Sequence, residues 1–590
     1  MTARLKSLLL AGCLAVGLVP AAAARDLAVE VRDATGAPLP LAMVTVRAER
    51  RVDGVALAER TAFTGPDGRA RLSDVDDAPV SVRVRKPDHR DAVASVDAEA
   101  ANLSLTVERE TDARAIAEAR PANAWAAAID LGDPALSRHF RLQCGFCHQQ
   151  GSPAAIAERS EEEWEKIIDR MVRYGSRLQT AAQKRLPELL RAEHRRLRES
   201  PQAIPEVKAW EPHLAGARIT EWALGDGASQ LHDVFLASTG KLYAGDNLQD
   251  NLIELDPATG RTVTHNIPRA PGDKLGGNIG GRLKNFPGVG TYVGLHSLDE
   301  SPVDGHLFLT GSDSSRLVEF APETGRFTLY DLPDGYYPHT IRVDRKDRVW
   351  FTMAVSNQIA MFDRKAGRFT FYDLPARTLK ERATILAMPV ILKLFNWGVP
   401  MYRMPIDEKS DGLPLPYGID IAPDGRVWFT RLHADEIGRV DPDTGEVRMF
   451  KTPFVSPRRL RADADGNLWI TVFAEGRLAK FDPATERFTL FDLPTRPAGS
   501  ETPYSLNVDR RRGIVWINGT ASDSMLSFDI KREEWRVYPL PRRRTFTRDV
   551  VVADDGSIFT SNGSFPAWHI EDGQPTVIRV TPGPAEARRP

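Results

Sequence analysis

A repeat of about 42 residues runs from Ile219 to about Pro582, and it limits the possible folds of this 590-residue chain more than any other feature. Each unit contains an apolar strand, a turn, a strand ending near Trp-Phe-Thr, a third strand ending in Asp and an aromatic outer strand. Four strands in a unit of this length are typical of one blade of a β-propeller. The sequence therefore predicts a propeller for residues 213–590.

Six such units and a last, three-stranded unit after Thr545 predict seven blades. The last unit lacks its outer strand, and a strand of that kind precedes the first blade at Ile219–Leu224. Pairing the two would close the ring and cover a sheet edge. Residues 269–294 and 378–412 interrupt the repeat. The first insertion is Gly-rich and basic, which predicts a loop or lid. The second could cover the channel, pack on the helical segment 111–212 or touch a membrane.

Two smaller domains are predicted ahead of the propeller. Residues 25–110 alternate apolar and polar positions between turn signals, which favours a small β-sandwich. Residues 111–212 are mainly helical. One helix begins with the capping box Ser160–Glu163, and another is expected to begin near Pro187. The predicted fold class is therefore multidomain and mainly β, with a β-sandwich, an α-helical domain and a seven-bladed propeller.

The N-terminus predicts export. A basic start, a short apolar run and Ala21–Ala24 form a secretory signal peptide over residues 1–24, and the mature protein is expected in the periplasm. A lipoprotein signal ending at Cys13 is the weaker alternative. A net charge of −2 gives no field for nucleic acid, and no stretch is long and apolar enough for a membrane span.

Cys144-Gly-Phe-Cys147-His148 is the attachment pattern of a c-type haem. Both cysteines would bind the haem covalently, and His148 would be an axial iron ligand. A redox dithiol and half a zinc site are the alternatives. A zinc site needs more ligands than this segment offers, and a redox dithiol usually lies in a βαβ setting. The pattern therefore predicts one haem c.

Two family resemblances accompany these domains. Residues from Leu136 to about Leu197 resemble class I cytochrome c domains, which implies that Met171 is the sixth iron ligand and that the domain transfers electrons. The other possibility is that Met171 is a core residue. The segment ATGAPLPLAMVTV resembles carboxypeptidase-regulatory-like sandwich domains, which implies a scaffold or docking role.

One position of the innermost strands carries polar side chains in all seven blades. It is expected to form a ring at one mouth of the central channel. Histidine can bind a metal or transfer protons, tyrosine can donate to an oxyanion, and arginine can hold a carboxylate. A solvated polar funnel without chemistry is the alternative. The predicted ring consists of His232, His296, His339, Tyr417, Arg458, Tyr504 and Arg548.

The blades also resemble the virginiamycin B lyase family, best in LPYGIDIAPDGRVWFTRLHADEIGRVDPDTGEVRMFKTP. The resemblance extends from about His232 to Val552. It implies a seven-bladed propeller that opens a cyclic depsipeptide ester by metal-assisted elimination, with a funnel histidine and a nearby Glu-x-His pair. His339 matches the context of the funnel histidine. The chain departs from the family because no blade contains Glu-x-His.

The combination predicts a periplasmic haem c oxidoreductase. The propeller would bind a small oxygenated or anionic substrate, with a divalent metal as an option, and electrons would pass through the haem to an external redox protein or terminal acceptor. One alternative is a redox partner or sensor whose propeller binds a ligand without turnover. Another is a lyase with an accessory cytochrome.

Overall fold

The fold is described from a computed structural model. Ala24 is the only residue of the predicted signal peptide that the structure describes. Cys13, Cys147 and parts of both insertions lie outside the described residues. The structure describes residues 24–49, 52–145, 148–174, 176, 178–279, 290–397, 399 and 413–583.

The first seven strands form two sheets around one shared apolar core, with orders β4-β1-β7 and β3-β2-β5-β6. The sequence pattern does not reveal β3, because its buried positions include Glu59 and Thr61 rather than apolar residues alone. It also misses β6. The strands are β1 Ala24–Asp33, β2 Met43–Ala48, β3 Ala58–Phe63, β4 Arg69–Asp76, β5 Val80–Arg85, β6 Ala92–Val96 and β7 Asn102–Val107.

Six helices follow and enclose a second apolar core, and they are called the helical unit below. The predicted capping box is present, because the Ser160 hydroxyl and the Glu163 carboxylate bond each other's backbone N–H groups. The helices are α1 Ala113–Ala119, α2 Ala122–Ala128, α3 Pro134–Cys144, α4 Pro153–Ile156, α5 Glu161–Arg173 and α6 Thr180–Glu199.

The start expected for the last of these helices is wrong. Helix α6 begins at Thr180, so Pro187 lies inside the helix and not in its first turn. The apolar stripe of Ala182, Leu186 and Leu190 continues across the proline and is fully buried. Burial of this stripe outweighs the single helical hydrogen bond that a proline removes.

The propeller contains six sheets of four consecutive antiparallel strands. In each of them the first strand is innermost and contacts the first strand of the next sheet. The blades are β9 Leu231–Leu236, β10 Leu242–Asp246, β11 Asn251–Leu255, β12 Thr262–Asn266; β13 Leu295–Glu300, β14 Leu307–Gly311, β15 Arg316–Ala321, β16 Arg326–Asp331; β17 Pro338–Val343, β18 Arg348–Met353, β19 Gln358–Asp363, β20 Arg368–Asp373; β21 Pro416–Ile421, β22 Val427–Arg431, β23 Glu436–Val440, β24 Val447–Lys451; β25 Pro457–Ala462, β26 Leu468–Val472, β27 Arg477–Asp482, β28 Arg487–Asp492; β29 Leu506–Asp509, β30 Ile514–Gly519, β31 Ser524–Asp529 and β32 Glu534–Pro539.

The seventh blade joins the two ends of the propeller sequence. Strands β33 Val551–Val552, β34 Ile558–Asn562 and β35 Thr576–Thr581 pair in order, and β35 then pairs with β8 Arg218–Ala223. This is the closing strand expected at 219–224, shifted by one residue. Because β33 contacts β9, the innermost strands form a closed ring of seven in the described residues. The prediction of a mainly β, propeller-type fold is confirmed.

The N-terminal sandwich and the propeller share one sheet. Strand β8 pairs with β35 on one edge and with β3 on the other, which produces the order β33-β34-β35-β8-β3-β2-β5-β6. Buried ion pairs reinforce the junction: Arg542 pairs with Glu59, and its Nε lies 3.4 Å from Glu221 Oε2. Burial raises the pKa of Glu221 to about 7. The closing strand therefore has hydrogen-bonded neighbours on both sides.

One further helix of the described residues, α7 Leu379–Asn396, lies in the insertion between β20 and β21. Glu381 near its start is fully buried and bonds Arg431, at the end of β22. None of the described helices combines the length and apolar character that crossing a membrane requires.

Candidate functional site

The predicted haem-attachment motif begins at the end of a well-capped helix. Asp133 accepts hydrogen bonds from the backbone N–H groups of Ala135 and Leu136, and Pro134 occupies the first turn of α3. Cys144 is the last residue of α3 and packs, half-buried, against the core of the helical unit. The sequence thus places one attachment cysteine on a rigid element.

The described side chains of the motif fit a c-type haem. His148 Nδ1 lies 3.1 Å from the backbone carbonyl oxygen of Gln149, an arrangement that fixes an imidazole ring and directs Nε2 toward a metal. Cys144 supplies a thiol four residues before it. Met171 lies half-buried on α5, whereas Trp164, Ile168 and Val172 form the fully buried stripe of that helix. Ligation by Met171 remains a prediction.

All seven residues of the predicted ring come together at the centre of the propeller. Each lies just before or at the start of an innermost strand, and none is more than 4% exposed. The imidazole rings of His232, His296 and His339 contact one another in series, with centroids 3.7 and 3.8 Å apart and planes tilted by 40° and 44°. His339 contacts the ring of Tyr417 at 4.0 Å. The blade alignment therefore identified one physical cluster, called the ring below.

Hydrogen bonds through the two phenols join the remaining members of the ring. Tyr417 Oη and Tyr504 Oη are 3.1 Å apart, and Arg458 Nη2 donates to Tyr417 Oη at 2.7 Å. Arg548 Nη1 donates to Tyr504 Oη at 3.2 Å, and the same oxygen lies 3.2 Å from His232 Nε2. Proton donors and acceptors are thus in continuous contact around the channel.

Burial and the nearby guanidinium groups keep the ring histidines neutral. Burial lowers the pKa of His232 to about 4, and it lowers the pKa values of His296 and His339 well below their usual range. A neutral imidazole can accept a proton or bind a metal. Near neutral pH the histidines are therefore unprotonated, and their ring nitrogens can accept hydrogen bonds or bind a metal.

The two tyrosines differ in acidity. Burial raises the pKa of Tyr417. Burial also acts to raise the pKa of Tyr504, but the guanidinium groups of Arg458, Arg548 and Arg459 outweigh it, so that this pKa lies below its usual value. Tyr504 is consequently the better proton donor of the pair.

A tier of charged side chains lies directly beneath the ring. These residues follow the ring residues by one or three positions on the same strands, and they are called the charged tier below. Arg459 Nη2 bonds both carboxylate oxygens of Asp233, at 2.9 and 3.1 Å, across the channel. The charged tier consists of Asp233, Asp299, Arg342, Asp420, Arg459, Arg461 and Asp549.

Two features of the charged tier could have been found in the sequence. His232-Asp233 and Arg548-Asp549 repeat the order of a ring residue followed by an acid, and Arg458-Arg459 places a base at the matching position. Gly418 occupies that position in the fourth blade, where a Cβ atom would lie 2.8 Å from the Arg458 carbonyl oxygen. The small residue lets neighbouring strands approach closely.

The ring and the charged tier together offer a candidate metal site. Ligand atoms of His232, Asp233 and His296 lie within 4.8 Å of one another, and all three residues are buried. Two imidazole nitrogens and one carboxylate oxygen suit a divalent transition metal or zinc. His232 Nδ1 already lies 2.9 Å from Asp233 Oδ1, so a metal would replace that contact.

The helical unit contacts the ring at Tyr504. Leu142 of α3 packs against an aromatic cluster formed by Phe473, Tyr504 and Phe546, and Tyr504 is itself a ring residue. Gln149 Nε2 donates to the carbonyl oxygens of Thr520 and Thr545, both at 2.7 Å. The residues on either side of the predicted motif, Leu142 and Gln149, thus both contact the propeller.

A propeller histidine also contacts the motif directly. The rings of His148 and His569 stack with centroids 4.2 Å apart and an interplanar angle of 6°. His569 belongs to a short 3₁₀ turn between β34 and β35, and its Nδ1 lies 3.3 Å from Ser152 Oγ. Sequence reasoning missed His569 because it lies outside the repeated part of the blade.

Residues 400–568 match the model of the virginiamycin B lyase family. Similar solved structures include a streptogramin B lyase, at 16% identity and a TM-score of 0.47, covering 62% of this chain and 98% of that chain. Another is a virginiamycin B lyase from Staphylococcus aureus, at 14% identity and a TM-score of 0.46, covering 62% and 99%. No curated protein matches the sequence.

Proposed function

We propose that the protein is a haem c oxidoreductase whose ring binds a small oxygenated or anionic substrate. One observation carries the proposal: Leu142, two residues before Cys144, packs on the cluster that contains the ring residue Tyr504. The motif for a one-electron carrier and a cluster suited to proton transfer therefore lie against each other. Electron transfer and proton transfer can then act on one substrate.

The ring residues divide into three roles. Neutral His232, His296 and His339 accept the protons that an oxidised substrate releases. Tyr504, with its lowered pKa, donates a hydrogen bond or proton to a substrate oxygen. Arg458 and Arg548 hold an anionic group. A divalent metal bound by His232, Asp233 and His296 is the alternative arrangement for the same histidines.

The haem would be held by Cys144, Cys147 and His148, with Met171 as the sixth ligand. It would supply one-electron transfer, with an external redox protein or terminal acceptor as the partner. Covalent attachment of haem c also fits the exported, periplasmic location that the N-terminal sequence predicts.

The visible spectrum tests the haem. Protein matured in a periplasm with haem-attachment machinery should show sharp reduced c-type bands and a weak oxidised methionine–iron band at long wavelength. Met171→Ala should remove the weak band and keep the others. The matched control is Met449→Ala, at a half-buried methionine of β24, which should leave every band in place. A colourless protein contradicts the proposal.

Ring variants test the oxidoreductase itself. His339→Gln and Arg458→Gln should lower the rate at which a panel of small hydroxy acids and phenols reduces the haem by about 100-fold or more. Reduction by dithionite should be unchanged. His265→Gln is the matched control. His265 lies on the outer strand β12, away from the ring, and bonds Glu254 of β11. A wild-type haem that no compound of the panel reduces, although the compounds bind, would favour a non-catalytic binding protein.

A second candidate, a C–O lyase, rests on the family match over residues 400–568. Quinupristin, bound in one similar structure, is the probe. Linearised product from the wild type, lost in His339→Gln without any change in haem redox state, would establish the lyase. The absence of Glu-x-His from the blades is the reason for ranking it second.

A further inference from the structure

Helix α7 is fixed to the propeller at both ends. The Glu381 carboxylate bonds Arg431 at 2.7 Å, both side chains are fully buried, and Arg377 bonds the other carboxylate oxygen at 2.9 Å. At the far end, Asn396 Nδ2 donates to the carbonyl oxygen of Asn278 at 2.9 Å. Met388 and Leu392 are buried between these anchors. One side of the helix is therefore held in a fixed orientation.

The opposite side of α7 presents large apolar residues. Leu379 is 85% exposed, Leu386 73%, Val390 59% and Trp397, just past the helix end, 80%. Successive spacings of seven, four and seven residues place these side chains on one stripe. At 1.5 Å per residue the stripe is about 27 Å long. Because the opposite side of α7 is anchored to the protein, the stripe faces outward.

The exposed charged residues of α7 itself are all positive. Lys380, Arg382 and Lys393 are exposed, and Glu381 is the only acidic residue of α7. Glu381 is buried in its ion pairs with Arg377 and Arg431. Exposed leucine, valine and tryptophan with flanking lysine and arginine describe a helix that lies in the plane of a membrane interface.

We propose that α7 docks the protein on the surface of a membrane with anionic headgroups. The apolar stripe would enter the boundary between headgroups and acyl chains, and the three cations would pair with the headgroups. The cationic rim argues against a second copy of the chain, which would bring like charges together. This inference is independent of the proposed function.

The docking would also orient the propeller. Arg431, the anchor of α7, pairs with Pro416 at the end of blade four where the ring residue Tyr417 lies. The helical unit contacts blades at the corresponding end, through Tyr504 and Thr520. The membrane would therefore face the side of the propeller that carries both the ring and the helical unit.

Sedimentation with lipid vesicles tests the proposal on the full mature chain. The wild type should bind vesicles of equal parts phosphatidylglycerol and phosphatidylcholine, bind pure phosphatidylcholine much more weakly, and be released by raised salt. Leu386→Glu with Val390→Glu should weaken binding about tenfold or more. The matched controls are Val93→Glu and Val303→Glu, at valines 65% and 71% exposed on other elements, which should bind as the wild type does.

Three results would overturn the proposal. One is a wild type that binds neither vesicle. Another is binding that the double variant leaves unchanged. The third is a wild-type dimer, detected by light scattering, that the double variant dissociates, because it would assign the stripe to a second copy. Folding of the double variant is checked by circular dichroism, and Trp397→Ala, a milder change on the same stripe, should weaken binding in the same direction.

Discussion

The ring and the charged tier beneath it lie on the same strands, yet they differ in chemistry. Ring residues are neutral histidines and tyrosines joined by tilted ring contacts and by phenol hydrogen bonds, with arginine as the only fixed charge. The charged tier contains four aspartates and three arginines. Asp233 pairs with Arg459 across the channel at 2.9 Å, and Arg342 pairs with Asp420 of the adjacent blade at 3.5 Å.

This difference in composition suggests different roles for the charged tier and the ring. A buried ion pair holds its two partners in place, because moving either leaves an uncompensated charge. Neutral imidazoles and phenols can exchange partners at lower cost and can gain or lose protons. We therefore expect the charged tier to determine stability and the ring to determine reactivity.

The largest expected effect is on folding. Arg459→Ala leaves Asp233 buried without its partner and should lower the free energy of unfolding by about 3–5 kcal/mol, measured by urea denaturation. Arg477→Ala is the matched control, since it breaks an exposed pair with Asp492 and should cost less than about 1 kcal/mol. A small loss in Arg459→Ala would mean that the charged tier does not support the channel.

A pH series should show the next largest effect. Burial raises the pKa of Asp299 to about 6, above its unfolded value, so the folded state retains the proton more strongly. This contribution is complete below about pH 4 and is lost as the pH rises through 6. Between pH 4 and 7 the wild type should therefore lose up to about 3 kcal/mol relative to Asp299→Asn, measured by denaturation at each pH. Parallel curves for the two proteins would contradict the raised pKa.

The smallest change in unfolding free energy is expected for the loss of single hydroxyl groups, but one of these changes should have the largest effect on activity. Tyr504→Phe and Ser505→Ala each remove one buried hydroxyl, from the ring and from the Asp549 side of the charged tier respectively. Each should cost about 1 kcal/mol of unfolding free energy. Only Tyr504→Phe should abolish substrate-driven haem reduction. Equal activity in the two variants would remove the functional distinction between the levels.

The repeat predicted much of the fold because each blade has the same short-range sequence pattern. Alternating strands, the turns after Asp441 and Asp482, and the aromatic outer strands can all be recognised in the sequence. The closing strand could be found because the last unit lacked it. Strand β3 could not be found in the same way. A glutamate such as Glu59 is expected to be exposed, and its burial is explained only by its partner Arg542, far along the chain. The start of α6 was misjudged because Pro187 usually marks a first turn.

By itself the sequence determined which side chains form the ring, because the same strand position recurs in every blade and a propeller brings that position to one axis. It also determined the capping box at the start of α5, because Ser160 and Glu163 stand three residues apart. Only the tertiary structure decided that Leu142 meets Tyr504, that His148 stacks on His569, and that β8 joins two sheets. These contacts join residues hundreds of positions apart, and no local periodicity encodes how separately folded units pack against each other.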